Sequence, residues 1–390
     1  MMAAGMAASG DHDVLLLEKN EKLGKKLYIT GKGRCNITND KDIEEFITET
    51  VRNGRFLYSA YYGFTNRDLM DFLELHGLKL KVEQGGRVFP KSDKASDVTK
   101  TLSHWMEKRG VRVKFNCEVK GITRSESGFI LKTKNGQYTS DVVIVATGGR
   151  SYPSTGSTGD GYRFANAFGI QTTATRPSLC PMDLVDPFPE LAGLTLKNVC
   201  LTLKQGKKQM SVFGDLLFTH RGISGPIVFT LSSEDFTFSS ANASLDLKPA
   251  LSEDTLDNRI LREIAKDPKK QLKTLMRSLL PQVMVSCVLN QAQLDPQKTV
   301  SELTREERKA LVDALKGFSF QIKALGRFEE AVITRGGVDI KEIIPSTMEC
   351  KKMPGLYFVG EVLDLDAHTG GYNLQIAFST GVCAGRSVAP

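Results

Sequence analysis

The chain has 390 residues, of which 41% are hydrophobic and 25% are charged, a composition that is ordinary for globular proteins and excludes extensive disorder. Its formal net charge of +7 suits an anionic ligand or a weak attraction to polyanions. The basic residues are scattered, however, and the densest run, residues 266–273, has no interleaved aromatic residues. We therefore interpret that run as the solvated face of a helix and do not expect a nucleic-acid partner.

Seven cysteines are widely spaced, with no C-x-x-C pair and no Cys/His cluster. This pattern argues against a disulfide framework and a structural zinc site, and it favours a reducing compartment. No apolar run approaches the roughly 20 residues that span a bilayer. The amino terminus lacks the basic region of a secretory signal. We therefore predict a cytoplasmic protein without a membrane partner.

The first elements alternate between helical and strand-like patterns. The Ala- and Met-rich run at the start predicts a helix, and residues 14–17 predict a short buried strand that ends in Glu18. Residues 64–77 and 95–110 have amphipathic periods that stop at glycines. The alternation predicts a mainly parallel sheet with helices on its faces and a small antiparallel insert at residues 119–140. Strand-like runs cover residues 111–119, 129–134 and 141–147.

The pattern then changes to short strand-like runs separated by turns, which predicts an antiparallel sheet or barrel over residues 173–250. Residues 251–317 are helical in pattern and charged, and strands and glycine turns return after them. The simplest interpretation is a discontinuous α/β domain, residues 1–172 and 328–390, that carries an inserted domain, residues 173–327. Individual strands are predicted over residues 210–213, 215–218, 335–340 and 356–360.

Glu18 stands where a dinucleotide-binding unit places the acid that holds the adenosine ribose, about 20 residues after a glycine fingerprint. A fingerprint about 20 residues before Glu18 would precede Met1. The nearby Gly5 and Gly10 belong to the predicted helix and its end. The sequence thus predicts the acid, the second strand and most of the helix of such a unit, without its first strand and phosphate loop. The alternative is a flexible tail over residues 1–10, with Glu18 as a surface acid.

An apolar strand within residues 141–149 runs into Ala146-Thr147-Gly148-Gly149, a turn in which glycine tolerates both the backbone geometry and a close ligand. The glycine-rich residues 156–161 follow and lead into a helix. A glycine loop between a strand and a helix commonly holds a phosphate group or a ring edge, which makes this loop a candidate cofactor site. The alternative is an ordinary turn between a strand and a helix.

The richest stretch is residues 355–385, in which a buried strand is followed by Gly360-Glu361, an acidic loop and a helix that opens after Gly370-Gly371. The start of that helix, residues 372–375, would present free backbone N–H groups to a ligand. A flavin ring gains negative charge on reduction, and such a helix start would stabilise it. This stretch is therefore a candidate flavin site.

The loop residues Asp364, Asp366 and His368 could also suggest a metal, but three ligands in one loop with no other partner argue against it, and we predict no metal site. His368 and His220 are the candidate catalytic residues, although an ordinary loop histidine is the alternative for His220. Hydrolase and NTPase functions have no support, because no G-x-S-x-G, H-E-x-x-H or P-loop motif is present.

Residues 24–39 combine glycines with basic, Asn and Thr residues around Arg34-Cys35-Asn36. The basic groups suit a pyrophosphate or an anionic substrate. Cys35 has two interpretations, a redox thiol or a small buried residue near a cofactor, and no resolving cysteine lies nearby in the sequence.

Four stretches resemble the aminoacetone-oxidase-like flavoproteins, also called BaiN- or YhiN-like NAD(P)/FAD-dependent oxidoreductases. In family order they are LLLEKNEKLGKKLYITGKGRCNITN, VIVATGGRSYPSTGSTGDGYRFA, GDLLFTHRGISGP, and TRGGVDIKEI with GLYFVGEVLDLDAHTGGYNLQIAFSTG. They extend over nearly the whole chain. The resemblance implies an α/β fold, namely a Rossmann-like FAD-binding domain of the two-dinucleotide-binding type with an inserted β-barrel-like and helical substrate domain.

The resemblance also implies a set of cofactor contacts. Glu18 would hold the adenosine ribose, and Val119 would meet the adenine through its backbone. Residues 147–149 would lie at the middle of FAD, and Glu361 and Asp364 would face its ribityl chain and pyrophosphate. The flavin side would be lined by Lys25, Arg34, Asn36, Gly371, Asn373, Leu374 and Gln375, and Gly360 and Gly370 complete the predicted set.

The implied function is an FAD-dependent oxidoreductase, in which the flavin takes a hydride from a small-molecule substrate or passes one from NAD(P)H to an unsaturated acceptor. Because the family begins with a strand and a G-G-G-A-A-G-like loop that precede the first stretch, we expect weakened FAD binding by the sequence as given. The alternative is a non-catalytic protein of the same fold that acts through protein or RNA partners. The substrate, the choice between oxidase and reductase, and the oligomeric state stay open.

Overall fold

The computed structural model describes residues 1–8 and 12–388. The chain divides into two compact units, the first formed by residues 1–178 with 327–390 and the second by residues 179–326. Within the described residues no helix is both long enough and apolar enough to cross a membrane.

The helices lie in both units. In chain order they are α1 (Met2–Ala7), α2 (Ile43–Glu49), α3 (Tyr58–Gly63), α4 (Asn66–Leu75), α5 (Ala95–Lys108), α6 (Asp160–Ala167), α7 (Pro226–Ser233), α8 (Glu253–Lys266), α9 (Leu272–Met276), α10 (Gln282–Gln291), α11 (Arg305–Lys316) and α12 (Tyr372–Val388).

Most strands are short, and the long ones belong to the second unit. In chain order they are β1 (Leu15–Leu17), β2 (Thr38–Asn39), β3 (Leu80–Glu83), β4 (Arg87–Pro90), β5 (Arg112–Lys114), β6 (Val119–Ser125), β7 (Gly128–Thr133), β8 (Gly136–Ser140), β9 (Val143–Val145), β10 (Arg176–Ser178), β11 (Met182–Leu184), β12 (Thr195–Gln205), β13 (Lys208–Phe218), β14 (Gly222–Ser224), β15 (Asn242–Asp246), β16 (Phe318–Leu325), β17 (Ile333–Arg335) and β18 (Leu356–Phe358).

The first unit is built on parallel strand pairs with helices beside them. β1 pairs in parallel with β5, and β9 pairs in parallel with β18. The predicted antiparallel insert is confirmed, because β6, β7 and β8 form a meander over residues 119–140. The predicted helices are confirmed as α4, which starts with a capping box of Thr65 and Asp68, and as α5.

The second unit is a closed antiparallel barrel with helices packed against it, in the strand order β11-β14-β13-β12-β15-β16. Its barrel strands and the helices α8 to α11 share one hydrophobic core. The predicted break between residues 210–213 and 215–218 is wrong, because β13 runs through Gly214. Gly214 has a φ of +151° and lies where the pairing of β12 with β13 shifts register, so the glycine accommodates a bulge within one strand.

The strand predicted over residues 335–340 is also wrong, because β17 ends at Arg335. Gly336 and Gly337 follow with φ values of +85° and +152°. A Cβ at Gly336 would collide with the carbonyl of Ala174, so the chain turns through glycine at a close backbone contact. The pattern predicted a strand here because Val338 and Ile340 alternate with the polar Asp339 after the two glycines.

Candidate cofactor site

In the first unit, the loop after β1 is tied by side-chain hydrogen bonds to the glycine-rich loop after β9. Lys19 Nζ donates to Thr158 Oγ1 (2.6 Å) and to Asp160 Oδ2 (2.7 Å), and Asn20 Nδ2 donates to the carbonyl of Thr155 (3.1 Å). Burial raises the pKa of Asp160, but hydrogen bonds led by that from Lys19 outweigh the burial and hold this pKa below its ordinary value. The two loops that the sequence singled out are therefore neighbours.

Glu18 lies directly after β1, where the sequence predicts the acid for an adenosine ribose. Its Oε1 accepts hydrogen bonds from the backbone N–H and from Nδ2 of Asn20, both at 2.8 Å. Its other carboxylate oxygen has no hydrogen-bond partner within the part of the chain that the structure describes. The side chain is thus fixed through one oxygen, and the other is available to a hydroxyl donor.

Glu361 holds three other segments of the first unit together. Its Oε1 accepts hydrogen bonds from Ser151 Oγ (2.8 Å) and from the backbone N–H of Thr334 (2.9 Å). Its Oε2 pairs with Lys26 Nζ at 2.5 Å, and the same ammonium group donates to Ser151 Oγ at 2.6 Å. One carboxylate therefore connects the loops after β1 and β9 with β17.

Gly149 packs directly against this carboxylate. A Cβ at Gly149 would collide with Thr334 Oγ1 and would lie 2.9 Å from Glu361 Oε1. Thr334 Oγ1 also accepts hydrogen bonds from the backbone N–H groups of Arg150 (2.7 Å) and Ser151 (3.0 Å). The second glycine of the Ala-Thr-Gly-Gly turn is therefore required by packing, because no side chain fits between these oxygens.

The start of α12 lies against β2. Gly371, just before the helix, has a φ of +104°, and a Cβ there would collide with the carbonyl of Thr38. Gln375 is fully buried, where its Oε1 accepts a hydrogen bond from Thr38 Oγ1 (2.7 Å) and its Nε2 donates to Ser379 Oγ (3.0 Å). The Gln375 side chain therefore connects α12 to β2 through buried hydrogen bonds.

Asn373 closes the loop in front of α12. Its Nδ2 donates to the carbonyl of Ala367 (2.7 Å), and its Oδ1 accepts from the N–H of Ala367 (2.9 Å). The N–H of Gln375 donates to the carbonyl of Gly371 (3.1 Å), so the N–H groups that the start of α12 can offer to a ligand are those of residues 372–374. Leu374, also in the predicted set, packs partly buried against the core beside α5.

Two basic residues of the predicted set form ion pairs with other acids. Lys25 pairs with Glu21 at 3.1 Å. Arg34 Nη1 donates to Glu83 at 2.8 Å, and its guanidinium lies 4.0 Å over the ring of Phe89. Lys26, which contacts Glu361, is not in the predicted set, because nothing in a Lys-Lys pair within a loop shows which lysine faces inward.

Cys35 is completely buried and has a φ of +62°. Burial raises the pKa of its thiol to about 11, which suppresses the reactive thiolate. The environment of Cys35 therefore favours the interpretation as a small buried residue over that as a redox thiol.

The two candidate histidines lie in different units. His368 belongs to the first unit, where its Nδ1 lies 3.1 Å from Glu49 Oε2 and its backbone N–H donates to the carbonyl of Glu49 (3.0 Å). The hydrogen bond with His368 is the main cause that holds the pKa of Glu49 below its ordinary value, and Lys41 adds to it. His220 is exposed on the second unit. His368 is thus the histidine that a carboxylate orients close to the start of α12.

The remaining residues of the predicted cofactor set are Val119 and three glycines. Val119 is the half-buried first residue of β6, and Gly148 has a φ of +71°. Gly360 follows β18, and its N–H donates to Thr380 Oγ1 at 3.0 Å. Gly370 precedes Gly371 with a φ of +141°, so both glycines adopt a conformation that other residues rarely reach.

Several buried polar atoms of the first unit have no hydrogen-bond partner among the described residues. Three belong to residues predicted to contact FAD, and Tyr162 and Asp366 provide two others. Leaving such an atom unsatisfied costs about 1–3 kcal/mol, so these atoms indicate that a ligand or ordered water supplies the partners. FAD fits this set of oxygens, because its hydroxyl groups can donate to the amide and carboxylate oxygens and its phosphates and ring can accept from the two hydroxyls. The atoms are Asn36 Oδ1, Thr147 Oγ1, Tyr162 OH, Asp364 Oδ1 and Asp366 Oδ1. Asp364 Oδ1 has no hydrogen bond but lies 3.6 Å from Nη1 of Arg52 in an ion pair.

Comparison with known families and proteins covers the whole chain. A family model described as HI0933-like protein Rossmann domain matches residues 1–387. The chain is 32% identical over 395 residues to the ribosomal RNA dihydrouridine synthase of Escherichia coli strain K12, an alignment that covers 100% of this chain and 95% of the relative. It is 29% identical over 393 residues to the 3-dehydro-bile acid delta(4,6)-reductase of Clostridium scindens, which covers 99% of this chain and 95% of that relative.

Solved structures show the same fold at low sequence identity. A 3-ketosteroid-Δ4-(5α)-dehydrogenase from Rhodococcus jostii RHA1 aligns with a TM-score of 0.52 and 15% identity, over 100% of this chain and 94% of the other. The open conformation of a flavocytochrome c3 fumarate reductase aligns with a TM-score of 0.50 and 16% identity, over 100% and 76%. The predicted fold class, a Rossmann-type α/β FAD-binding domain combined with a β-barrel, is confirmed.

Proposed function

We propose a reductase function for this chain, which belongs to the family of HI0933-like proteins with a Rossmann domain and is an FAD-dependent oxidoreductase. The proposed reaction is the addition of hydrogen to a ring carbon–carbon double bond conjugated with a carbonyl group. NAD(P)H is the proposed electron donor. We assign FAD to the discontinuous first unit and substrate contacts to the inserted unit, which follows the domain organisation expected from the sequence.

The names of two relatives support this substrate class. One is named for forming dihydrouridine, which is uridine with its ring double bond saturated. The other is named as a reductase of a 3-dehydro-bile acid at the delta(4,6) positions. Both names describe saturation of a ring double bond, and both rings carry a conjugated carbonyl group. Hydrogen addition is thus common to two relatives whose substrates otherwise share little.

The proposed cofactor contacts use the chain's own polar groups. Glu18 offers its free oxygen to the adenosine ribose, and Thr147 offers its hydroxyl to the middle of FAD. The backbone N–H groups at the start of α12 face the flavin ring, where the positive end of a 17-residue helix stabilises negative charge. When bound, the flavin supplies the hydride chemistry, and the protein supplies orientation and electrostatics.

Addition of hydrogen to a double bond also needs a proton at the second carbon, and we assign its delivery to His368. The ring nitrogen on the side of Glu49 is fixed by that carboxylate, so the imidazole has a defined orientation. The protonated imidazole then gives its proton to the substrate carbon, and Glu49 stabilises the positive charge that His368 carries beforehand. Hydride and proton together account for the two hydrogens of the product.

The single observation that carries the proposal is the group of unsatisfied polar atoms on predicted FAD residues, namely those of Asn36, Thr147 and Asp364. The test starts with a titration of the purified protein with FAD, followed through the change in flavin absorbance, so that weak binding is also detected. In excess FAD we expect NADH or NADPH to bleach the flavin without oxygen. A folded protein that binds no flavin in this titration would contradict the proposal and would favour a non-catalytic role.

A second candidate substrate is a uridine in RNA, and the 32% identity to the ribosomal RNA dihydrouridine synthase favours it. The two substrates are compared by supplying the reduced protein with ribosomal RNA or with a steroid enone and analysing the products by mass spectrometry. A gain of two hydrogens in RNA would assign the nucleic-acid substrate, and the same gain in the enone would assign a small molecule. If neither product forms while oxygen is consumed with an amine, the protein is an oxidase and the reductase proposal fails.

A further inference from the structure

The geometry points to Lys26, and not the neighbouring Lys25, as the residue that binds the diphosphate of FAD. This inference rests on the cofactor assignment of the proposed function and deepens it by naming the cation of the site. It starts from the contrast between two adjacent lysines, of which the sequence analysis placed Lys25 at the flavin side and did not include Lys26.

The two lysines lie in different environments. Lys25 pairs with Glu21, four residues earlier, and the Glu21 carboxylate is largely exposed, with 59% of its side-chain surface accessible. Lys26 instead reaches Glu361, which is 335 residues away in the sequence and only 16% exposed. The Lys26 side chain is 25% exposed, so it is less enclosed than that of Glu361.

Lys26, Ser151 and Glu361 form a hydrogen-bonded group, here called the Glu361 cluster, in which one N–H donor of Lys26 can still bind an anion. A lysine ammonium has three N–H donors, and Lys26 uses two of them on Glu361 and Ser151 within the described residues. Glu361 is also held at its other oxygen by Ser151 and Thr334, so its position does not depend on Lys26 alone. Lys26 can therefore turn toward a phosphate oxygen without releasing Glu361.

The charges around the cluster point in the same direction. Lys19 is paired with Asp160, Lys25 with Glu21 and Arg34 with Glu83. Each of these cations is matched by an acid outside the Glu361 cluster, whereas Lys26 is matched within it by Glu361. The diphosphate of FAD carries two negative charges, and Lys26 lies between the loop after β1 and the loop after β9, beside Glu361. A charge-assisted hydrogen bond at this place is stronger than a neutral one.

The test compares Lys26→Gln with Lys25→Gln as a matched control and Lys26→Arg as a charge-preserving variant. Glutamine can still donate to Glu361, so the variant keeps a hydrogen bond while it loses the charge. The dissociation constants of FAD and ADP are measured by titration, and ADP reports on the diphosphate without the flavin. We expect Lys26→Gln to weaken both ligands by about 10- to 100-fold. Lys25→Gln should change neither, and Lys26→Arg should recover most of the loss.

Three results would overturn the inference. Equal FAD affinity in Lys26→Gln and the unsubstituted protein would remove Lys26 from the site. A loss for FAD without a loss for ADP would place Lys26 at the flavin half instead of the diphosphate. A loss of the same size in Lys25→Gln would show an effect of general charge. Failure of the underlying proposal looks different, because the unsubstituted protein itself would then bind no FAD.

Discussion

At the scale of single residues, the pair formed by His368 and Glu49 carries the proposed proton transfer. Replacing His368 by Asn should lower kcat about 100-fold, because a general acid contributes roughly 10²- to 10⁴-fold to rate. FAD affinity should stay unchanged, since the proposed role concerns the substrate. The measurement is steady-state reduction of a conjugated enone, combined with titration of FAD.

Two controls sharpen this experiment. His220→Asn changes an exposed histidine of the second unit and should leave kcat unaltered. Glu49→Gln should reduce kcat less than His368→Asn does, while it alters the pH dependence of kcat, because it removes the carboxylate that orients the imidazole. Normal turnover in His368→Asn would show that another group supplies the proton.

Asp366 gives the stability of the protein a defined dependence on pH. Burial is the main cause that raises its pKa from 3.8 to about 6; Asp364 adds to the rise, and Arg335, Arg176 and Arg52 oppose it. Since the folded state holds this proton more tightly than the unfolded chain, the group's contribution is fully present below about pH 4 and is lost as pH rises through 6.

The corresponding loss of unfolding free energy between pH 4 and pH 7 is about 2 kcal/mol, from the shift in pKa. Asp366→Asn cannot titrate, so its unfolding free energy should lack this decrease. Urea denaturation of both proteins over that pH range measures the difference. Parallel pH profiles would show that Asp366 does not titrate between the two values.

Single residues also differ in how far their contacts can be predicted from the sequence. The sequence predicts Glu361 and the Ala-Thr-Gly-Gly turn as parts of the site, because each belongs to a short local motif of glycine or acidic residues. The choice of Lys26 over Lys25 depends on which side of a loop faces Glu361, and nothing next to Tyr162 in the sequence marks its hydroxyl as buried without a hydrogen bond. Such contacts are set by distant segments, so spacing alone does not predict them.

At the scale of elements, the turn after β9 depends on Gly149. In Gly149→Ala the new methyl group would meet Thr334 Oγ1 and Glu361 Oε1, so the loop must shift. We expect a loss of about 1–3 kcal/mol in stability, as for other insertions into packed sites, together with weaker FAD binding. Thermal unfolding with and without FAD tests both effects.

A matched glycine outside the site provides the control. Gly63 ends α3, and a Cβ there would have no atom within 4 Å. Gly63→Ala should therefore be neutral or slightly stabilising, since alanine favours helices. A Gly149→Ala protein as stable as Gly63→Ala would contradict the packing argument for the turn.

Helices were more predictable than strands, and the reason is local. The amphipathic period of α5 and the capping box of α4 are specified by neighbouring residues. The strands β13 and β17 were misjudged at Gly214 and Gly336, because a glycine in a strand permits either a bulge or a turn. Pairing with another strand decides between them, and that information is not local.

At the scale of the whole molecule, the candidate site is assembled from segments that the sequence keeps far apart. Lys26 and Glu361 meet across 335 residues, and Thr38 and Gln375 across 337. The change of pattern along the chain predicted the α/β class of the first unit and the β-barrel with helices of the second, since strands and helices have different hydrophobic periods. It did not predict which loops meet, because chain order does not determine contacts between distant segments.

The measurement that tests the central claim most directly is the reoxidation of the FAD-loaded protein after reduction by NAD(P)H. The reduced protein is mixed rapidly with a cyclic enone, with ribosomal RNA or with oxygen, and the flavin absorbance is followed. We expect at least one substrate with a conjugated ring double bond to reoxidise the flavin faster than oxygen does and to gain two hydrogens. Rapid reoxidation by oxygen alone, with no reaction of either double-bond substrate, would contradict it.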